Sequence, residues 1–250
     1  MIASLLIALR EGLEAALIIG IVMGYLRQFE NRTAIQYAWL GVLSAVLMSF
    51  ALGLGIHSVG AELEGKSEAI FEGTVMLLAA GMLTWMIFWM RTHAKTLKSE
   101  IEKHLSEVSN QRNYLGIAGV TFLAVFREGV ETALFLPAAA FKSDALATLG
   151  GTFIGLSLAA LIGYLLFTST LRFNLRMFFN ITSAFLLVFA AVMVVSGIHE
   201  LEEAGFIHSL LSNEIIEPII VCGLYVSVIL GGLWWQRRQI TVQSETFGES

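Results

Sequence analysis

The sequence predicts an all-α, polytopic membrane protein with seven transmembrane helices. Helices 1–3 and 4–6 are expected to form an inverted repeat, with a seventh helix beside them, the N-terminus outside and the C-terminus inside. Three observations carry this expectation. The 250-residue chain is 56% apolar and only 14% charged, where an ordinary soluble domain carries about 25% charged residues. Its apolar residues fall into seven long runs. A charged motif occurs twice, in the first run and in the fourth.

Composition acts first as an exclusion. So few charges cannot cover a globular surface, which removes a soluble enzyme, a secreted disulfide scaffold, a nucleic-acid binder and a disordered chain. The single cysteine, Cys222, excludes an internal disulfide. Continuous rather than alternating apolar runs exclude a membrane β-barrel.

A spanning helix needs about 20 mostly apolar residues. The runs at 2–26, 34–56, 69–90, 114–140, 148–168, 175–198 and 215–235 meet that length. The first starts at Ile2 with no basic segment before it, so it reads as a span and not as a signal. Basic residues set the orientation. Arg27, Arg32, Arg91, Lys95, Lys98, Lys103, Arg112, Arg172, Arg176, Arg237 and Arg238 share one side of an alternating seven-span chain, against Lys66 and Lys142 on the other. The side rich in lysine and arginine is the cytoplasmic one. The outer side carries Glu62, Glu64, Glu68, Asp144, Glu200, Glu202, Glu203, Glu214 and Glu217. Such an acidic face concentrates cations.

Residues 1–240 are expected to form one transmembrane domain. Its parts are repeat one at about 1–91, a cytoplasmic linker at 92–113, repeat two at about 114–203 and the seventh helix at about 214–236. A short cytoplasmic tail, 237–250, follows. The linker reads as a mixed-charge, partly helical connection without chemistry of its own.

The duplicated motif is Arg10-Glu11-Gly12-Leu13-Glu14 and Arg127-Glu128-Gly129-Val130-Glu131. The second copy follows the first by 117 positions, an internal repeat of about half the chain. In the seven-span order the two copies run in opposite directions, the arrangement in which transporters hold substrate between repeats near the midplane. Glu11 and Glu14 are three apart and share a helical face. Arg10 and Glu14 are four apart and can pair. Glu128, Glu131 and Arg127 repeat that spacing. Four carboxylates and two guanidinium groups leave a formal charge of −2, and hard oxygen ligands of that charge suit a di- or trivalent hard cation. Arg10 and Arg127 would tune how tightly it is held. Each intramembrane charge costs at least about 2.5–3.5 kcal/mol by insertion scales. Six of them, duplicated, exceed what a structural ion-pair cluster requires.

Weaker signals mark an approach path. Glu68 and Glu72 stand one turn apart near the start of the third run. His199, Glu200 and Glu203 close the sixth run in a pattern suited to trapping a cation. It is not the zinc-protease pattern, because its fifth position is Glu203 rather than histidine. A simple polar helix end is the competing reading.

The paired motif, with Phe71-Glu72-Gly73 and Leu83-Thr84-Trp85-Met86, resembles the oxidase-dependent iron permease family, which spans bacterial EfeU-type and fungal high-affinity permeases. The resemblance covers nearly the whole chain. It implies seven spans, an outward N-terminus, the cell (inner) membrane, and iron as cargo with no prosthetic group. It also implies that Glu11, Glu14, Glu128 and Glu131 are transport residues, and that Glu200 and Glu203 match an external acidic motif more loosely. Bacterial relatives work with a periplasmic iron-binding protein and a haem peroxidase, fungal ones with a multicopper oxidase, so a separate redox partner is expected. Three alternatives stand beside an iron permease. One is a transporter of another hard divalent cation such as manganese. Another is a non-transporting membrane subunit of an iron-uptake complex. The third, a membrane-embedded carboxylate enzyme, would need a nucleophile that the motif lacks.

Overall fold

Backbone groups in apolar runs must satisfy one another where water is absent, and a helix does this within one segment. The computed structural model describes residues 1–28, 31–93, 97–110, 113–141, 144–168, 175–205, 220–227, 229 and 231. The described residues are helical almost throughout. In order they form α1 (Ile2–Arg27), α2 (Arg32–Glu62), α3 (Lys66–His93), α4 (Leu97–Asn110), α5 (Tyr114–Ala140), α6 (Ala145–Thr168) and α7 (Leu175–Glu203). Residues 220–227 are also helical.

Local chemistry sets several boundaries. The Asn31 side chain accepts from the Ala34 N–H at 3.2 Å and starts α2. Asn113 does the same for α5, accepting from the Gly116 N–H at 2.9 Å. Between α2 and α3 the chain turns at Gly65, whose φ of 61° favours a residue without a Cβ.

The chain divides into two compact units. One comprises Met1–Glu64 with Arg91–Leu186, the other Gly65–Met90 with Leu187–Ser250. In the first unit, α1 packs on α6 and α2 packs on α5. Small residues permit both approaches. A Cβ added at Gly151 would strike the Met1 carbonyl and Ser4, and one at Gly41 would strike the Ala118 carbonyl and press on Thr121. Ser4 and Thr121 stand 117 residues apart, the spacing of the two motif copies. The outer faces of α2 and α6 expose Leu43, Leu47, Phe50, Leu149, Phe153 and Leu161. Such continuous apolar exposure suits lipid contact. In the second unit, Gly73 and Gly197 bring α3 and α7 together, and the hydroxyls of Thr84 and Tyr225 share a hydrogen bond.

The linker is more than a connection. α4 is a 14-residue amphipathic helix. Its Ile101 and Leu105 are buried in one cluster with Val22, Leu26, Ala34 and Ile117.

The seven-span expectation is corrected. Four described helices are long and apolar enough to cross a membrane, at Arg32–Glu62, Lys66–Met90, Leu146–Leu166 and Met177–Glu203. The α1 and α5 helices are long enough, but each carries an arginine and two glutamates at its middle, which lowers its apolar character. The α4 helix is a polar linker helix and not a span. Much of the expected span at 215–235 lies outside the described residues, as do Lys95, Arg112, Lys142, Arg172, Glu214, Glu217 and the tail 237–250. The inverted-repeat order and the outside N-terminus rested on counting seven alternating spans, so they fall with that count. What stands is an all-α, multi-pass membrane chain.

Candidate functional site

The site is built by the middles of α1 and α5, both in the first unit. In each helix the arginine reaches one turn forward. Arg10 Nε donates to Glu14 Oε1 at 3.1 Å, and Arg127 Nε donates to Glu131 Oε1 at 3.2 Å. The i,i+4 spacing makes this the natural partner. The two pairs differ in their surroundings. Arg10 is among the largest fully buried side chains, whereas the Arg127 side chain is 37% exposed.

Glu11 and Glu128 lie beside the arginines in sequence, where the helix turns them onto a different face. Both oxygens of Glu11, Oε2 of Glu128 and Oε2 of Glu131 are buried without a hydrogen-bond partner. One oxygen from each of Glu11, Glu128 and Glu131 lies within 4.8 Å of the others. Glu14 is not in that group. It is buried, with one oxygen held by Arg10. Among the described residues this is the one cluster of three or more metal-type ligands.

Bare carboxylates withdrawn from water lose hydration and repel each other, a large cost unless something positive joins them. The donor set fits a hard cation. Metal–oxygen distances of about 2.0–2.6 Å place opposite ligands about 4–5 Å apart, which the cluster can span.

Close packing supports the motif from behind. A Cβ at Gly12 would lie 2.7 Å from Ala159 Cβ, and one at Gly129 would collide with Ser49. Ser49 is a feature that sequence reasoning missed. Its hydroxyl is buried and unpartnered beside the motif, whereas Ser44, Thr84 and Ser157 bond back to carbonyls of their own helices. Nothing in its apolar neighbourhood, Leu47-Met48-Ser49-Phe50, separates it from those others.

The approach-path residues belong to the second unit. Glu68 is exposed in the first turn of α3, and Glu72 is half-buried one turn on. At the end of α7, His199 Nε2 lies 3.3 Å from Glu203 Oε1, both exposed, and Glu200 is half-buried. Glu203 thus turns toward the imidazole one turn back, and His199, Glu200 and Glu203 do not form a three-ligand cluster.

Known proteins share this chain's sequence over most of its length. The model of the "Iron permease FTR1 family" matches residues 1–217. The "Ferrous iron permease EfeU" of Escherichia coli O6:K15:H31 (strain 536 / UPEC) is 38% identical over 207 residues, covering 82% of this chain and 75% of its own. The protein of the same name from Shigella sonnei (strain Ss046) is 38% identical over the same shares. That from Yersinia pestis is 33% identical over 82% of this chain and 73% of its own. No solved structure matches.

Proposed function

The chain belongs to the iron permease FTR1 family, and from that premise we propose that it moves ferrous iron across the cell membrane through the carboxylate cluster of α1 and α5. Membership makes the chain a multi-pass membrane permease for iron and not an enzyme. The ferrous state is taken from the names of its relatives. The observation that supports the site is that one carboxylate oxygen from each of Glu11, Glu128 and Glu131 lies within 4.8 Å of the others, and that each of these residues buries at least one oxygen without a hydrogen-bond partner.

In this reading Glu11, Glu128 and Glu131 ligate the ion near the membrane midplane, and Glu14 joins when Arg10 releases it. Glu131 is the bridging residue, with Oε1 on Arg127 and Oε2 bare. A lengthened Arg127 contact frees its second oxygen for the ion, and a tightened one weakens the site. The formal charge of −2 from the two motifs is cancelled by one divalent ion. Four liganding carboxylates with no release mechanism would hold the ion too firmly for turnover, and two competing guanidinium groups supply that release. Glu68, Glu72, His199, Glu200 and Glu203 gather cations along the approach. A periplasmic iron-binding protein and a haem peroxidase or other oxidase act as separate partners that deliver iron in the state carried.

The experiment is accumulation of radiolabelled ferrous iron in proteoliposomes holding this chain alone. Wild-type vesicles accumulate iron, and those with Glu128→Gln do not. Wild-type accumulation by the variant, or better retention of manganese than of iron by the wild type, would refute the site or the cargo respectively.

A further inference from the structure

A serine or threonine inside a helix ordinarily bonds a carbonyl of its own preceding turn. Ser44, Thr121, Thr132, Thr152 and Ser157 all do so. Ser49 of α2 does not. Its Oγ is shielded from solvent and bonds nothing. It lies against α5 at Gly129, where an added Cβ would collide with it. The missing side chain at the centre of the second motif copy is what admits the hydroxyl. The first copy has no such group, because a Cβ at Gly12 would meet the methyl of Ala159.

The acceptors around Gly129 narrow to one. The Glu128 carbonyl already takes the Thr132 hydroxyl at 2.8 Å. Glu131 stands two positions beyond Gly129, about 200° around the helix, and Arg127 holds one of its oxygens. The Glu128 side chain is adjacent, about 100° away, and its Oε2 is buried without a partner. Consecutive Cα atoms are about 3.8 Å apart, so a hydroxyl touching the Gly129 position is within the reach of a glutamate side chain at 128. An orphan donor and an orphan acceptor thus flank one glycine.

We propose that Ser49 is a positioning residue of the ion site, whose hydroxyl donates to one oxygen of Glu128 while the other oxygen ligates the ion. The proposal rests on the ion-site reading of Glu11, Glu128 and Glu131. A carboxylate that gives one oxygen to a metal keeps its orientation through a hydrogen bond on the second. The two groups are unbonded here, and the turn of Glu128 onto an ion brings them together. Gly129 then serves the site as well as the packing, since a side chain there would displace the hydroxyl.

Ser49→Ala in the full chain tests it. The change removes the donor and adds no bulk, and alanine is already the residue that meets Gly12. Three quantities are read on the detergent-solubilised protein under anaerobic conditions: ferrous-ion affinity, the melting temperature without iron, and the infrared carboxylate bands that change when iron binds. The variant is expected to bind ferrous iron on the order of tenfold more weakly. Its iron-free melting temperature should equal or exceed that of the wild type, because the lost hydroxyl had no partner to leave behind. One carboxylate band of the iron-bound form should shift as a hydrogen bond is lost. Wild-type affinity with unchanged bands overturns the proposal. So does weaker binding that comes with a lower iron-free melting temperature and unshifted bands, which would make Ser49 a packing residue only. If the wild-type protein binds no ferrous iron, the ion-site reading itself fails, and the role of Ser49 fails with it.

Discussion

Arg10 reaches past the adjacent Glu11 and bonds Glu14, Nε to Oε1 at 3.1 Å, with both side chains withdrawn from solvent. The reach divides the carboxylates of α1 into one that is held and one that is bare. Arg127 makes the same choice on α5. Each motif therefore has one glutamate held by its arginine and one that the arginine passes by, with Glu131 keeping a second oxygen unpartnered, and that division has measurable consequences.

Removing one partner of a buried ion pair leaves an unpaired charge, at a cost of about 3–5 kcal/mol. Arg10→Ala should show a loss of that order in thermal unfolding of the detergent-solubilised protein. Arg127→Ala should lose less, because its side chain is 37% exposed and its pair is less withdrawn than that of Arg10. Equal losses would mean that the two pairs do not differ as their burial indicates.

Glu11 has no partner for either oxygen, so its charge destabilises the metal-free fold. Glu11→Gln should raise the melting temperature of the metal-free protein and abolish iron uptake. That combination, more stable but inactive, is the mark of a residue kept for function. A lower melting temperature with uptake retained would contradict it.

An ion that binds only the folded site stabilises it by mass action, about 2.7 kcal/mol at 100 times its dissociation constant. Ferrous iron should raise the melting temperature of the wild-type protein under strictly anaerobic conditions. The shift should vanish in Glu128→Gln, while Glu68→Gln keeps it, since Glu68 is exposed and remote in sequence from the motif.

Gly129→Ala would drive a methyl into Ser49. Overpacking of this kind costs about 1–3 kcal/mol. Adding Ser49→Gly should recover most of that loss, because the two residues are in direct contact and couple. The same cycle applies to Gly12→Ala with Ala159→Gly. Additive losses would show that the α2–α5 contact does not govern the motif's position.

Much of the helical layout is legible in the sequence because long apolar runs have one way to satisfy their backbones. The motif is legible because Arg10, Glu11, Glu14 and their copies are expensive where they stand. Other features depend on geometry that spacing alone does not carry. Which oxygens converge depends on how α1 meets α5, so the placing of Glu11, Glu128 and Glu131 together, with Glu14 held back, is visible only in the fold. Hydropathy gave α1 and α5 the standing of ordinary spans, yet the charges that mark the site also reduce the apolar character on which that standing rests. The spacing of His199, Glu200 and Glu203 suggests a joint cation trap, and the contact of the His199 imidazole with Glu203 at 3.3 Å follows from their four-residue separation. The docking of α4 is hidden in the sequence because Ile101, Leu105 and Val108 are few among many charges, and their shared face appears only once the segment is helical.

Whether the three converging carboxylates of Glu11, Glu128 and Glu131 form the ion site is tested most directly by a metal-soaked crystal measured at the iron absorption edge. The expected result is an anomalous peak bounded by Glu11, Glu128 and Glu131, absent in Glu128→Gln. A peak held instead by residues of α3 or α7, or one that survives Glu128→Gln unchanged, would contradict it.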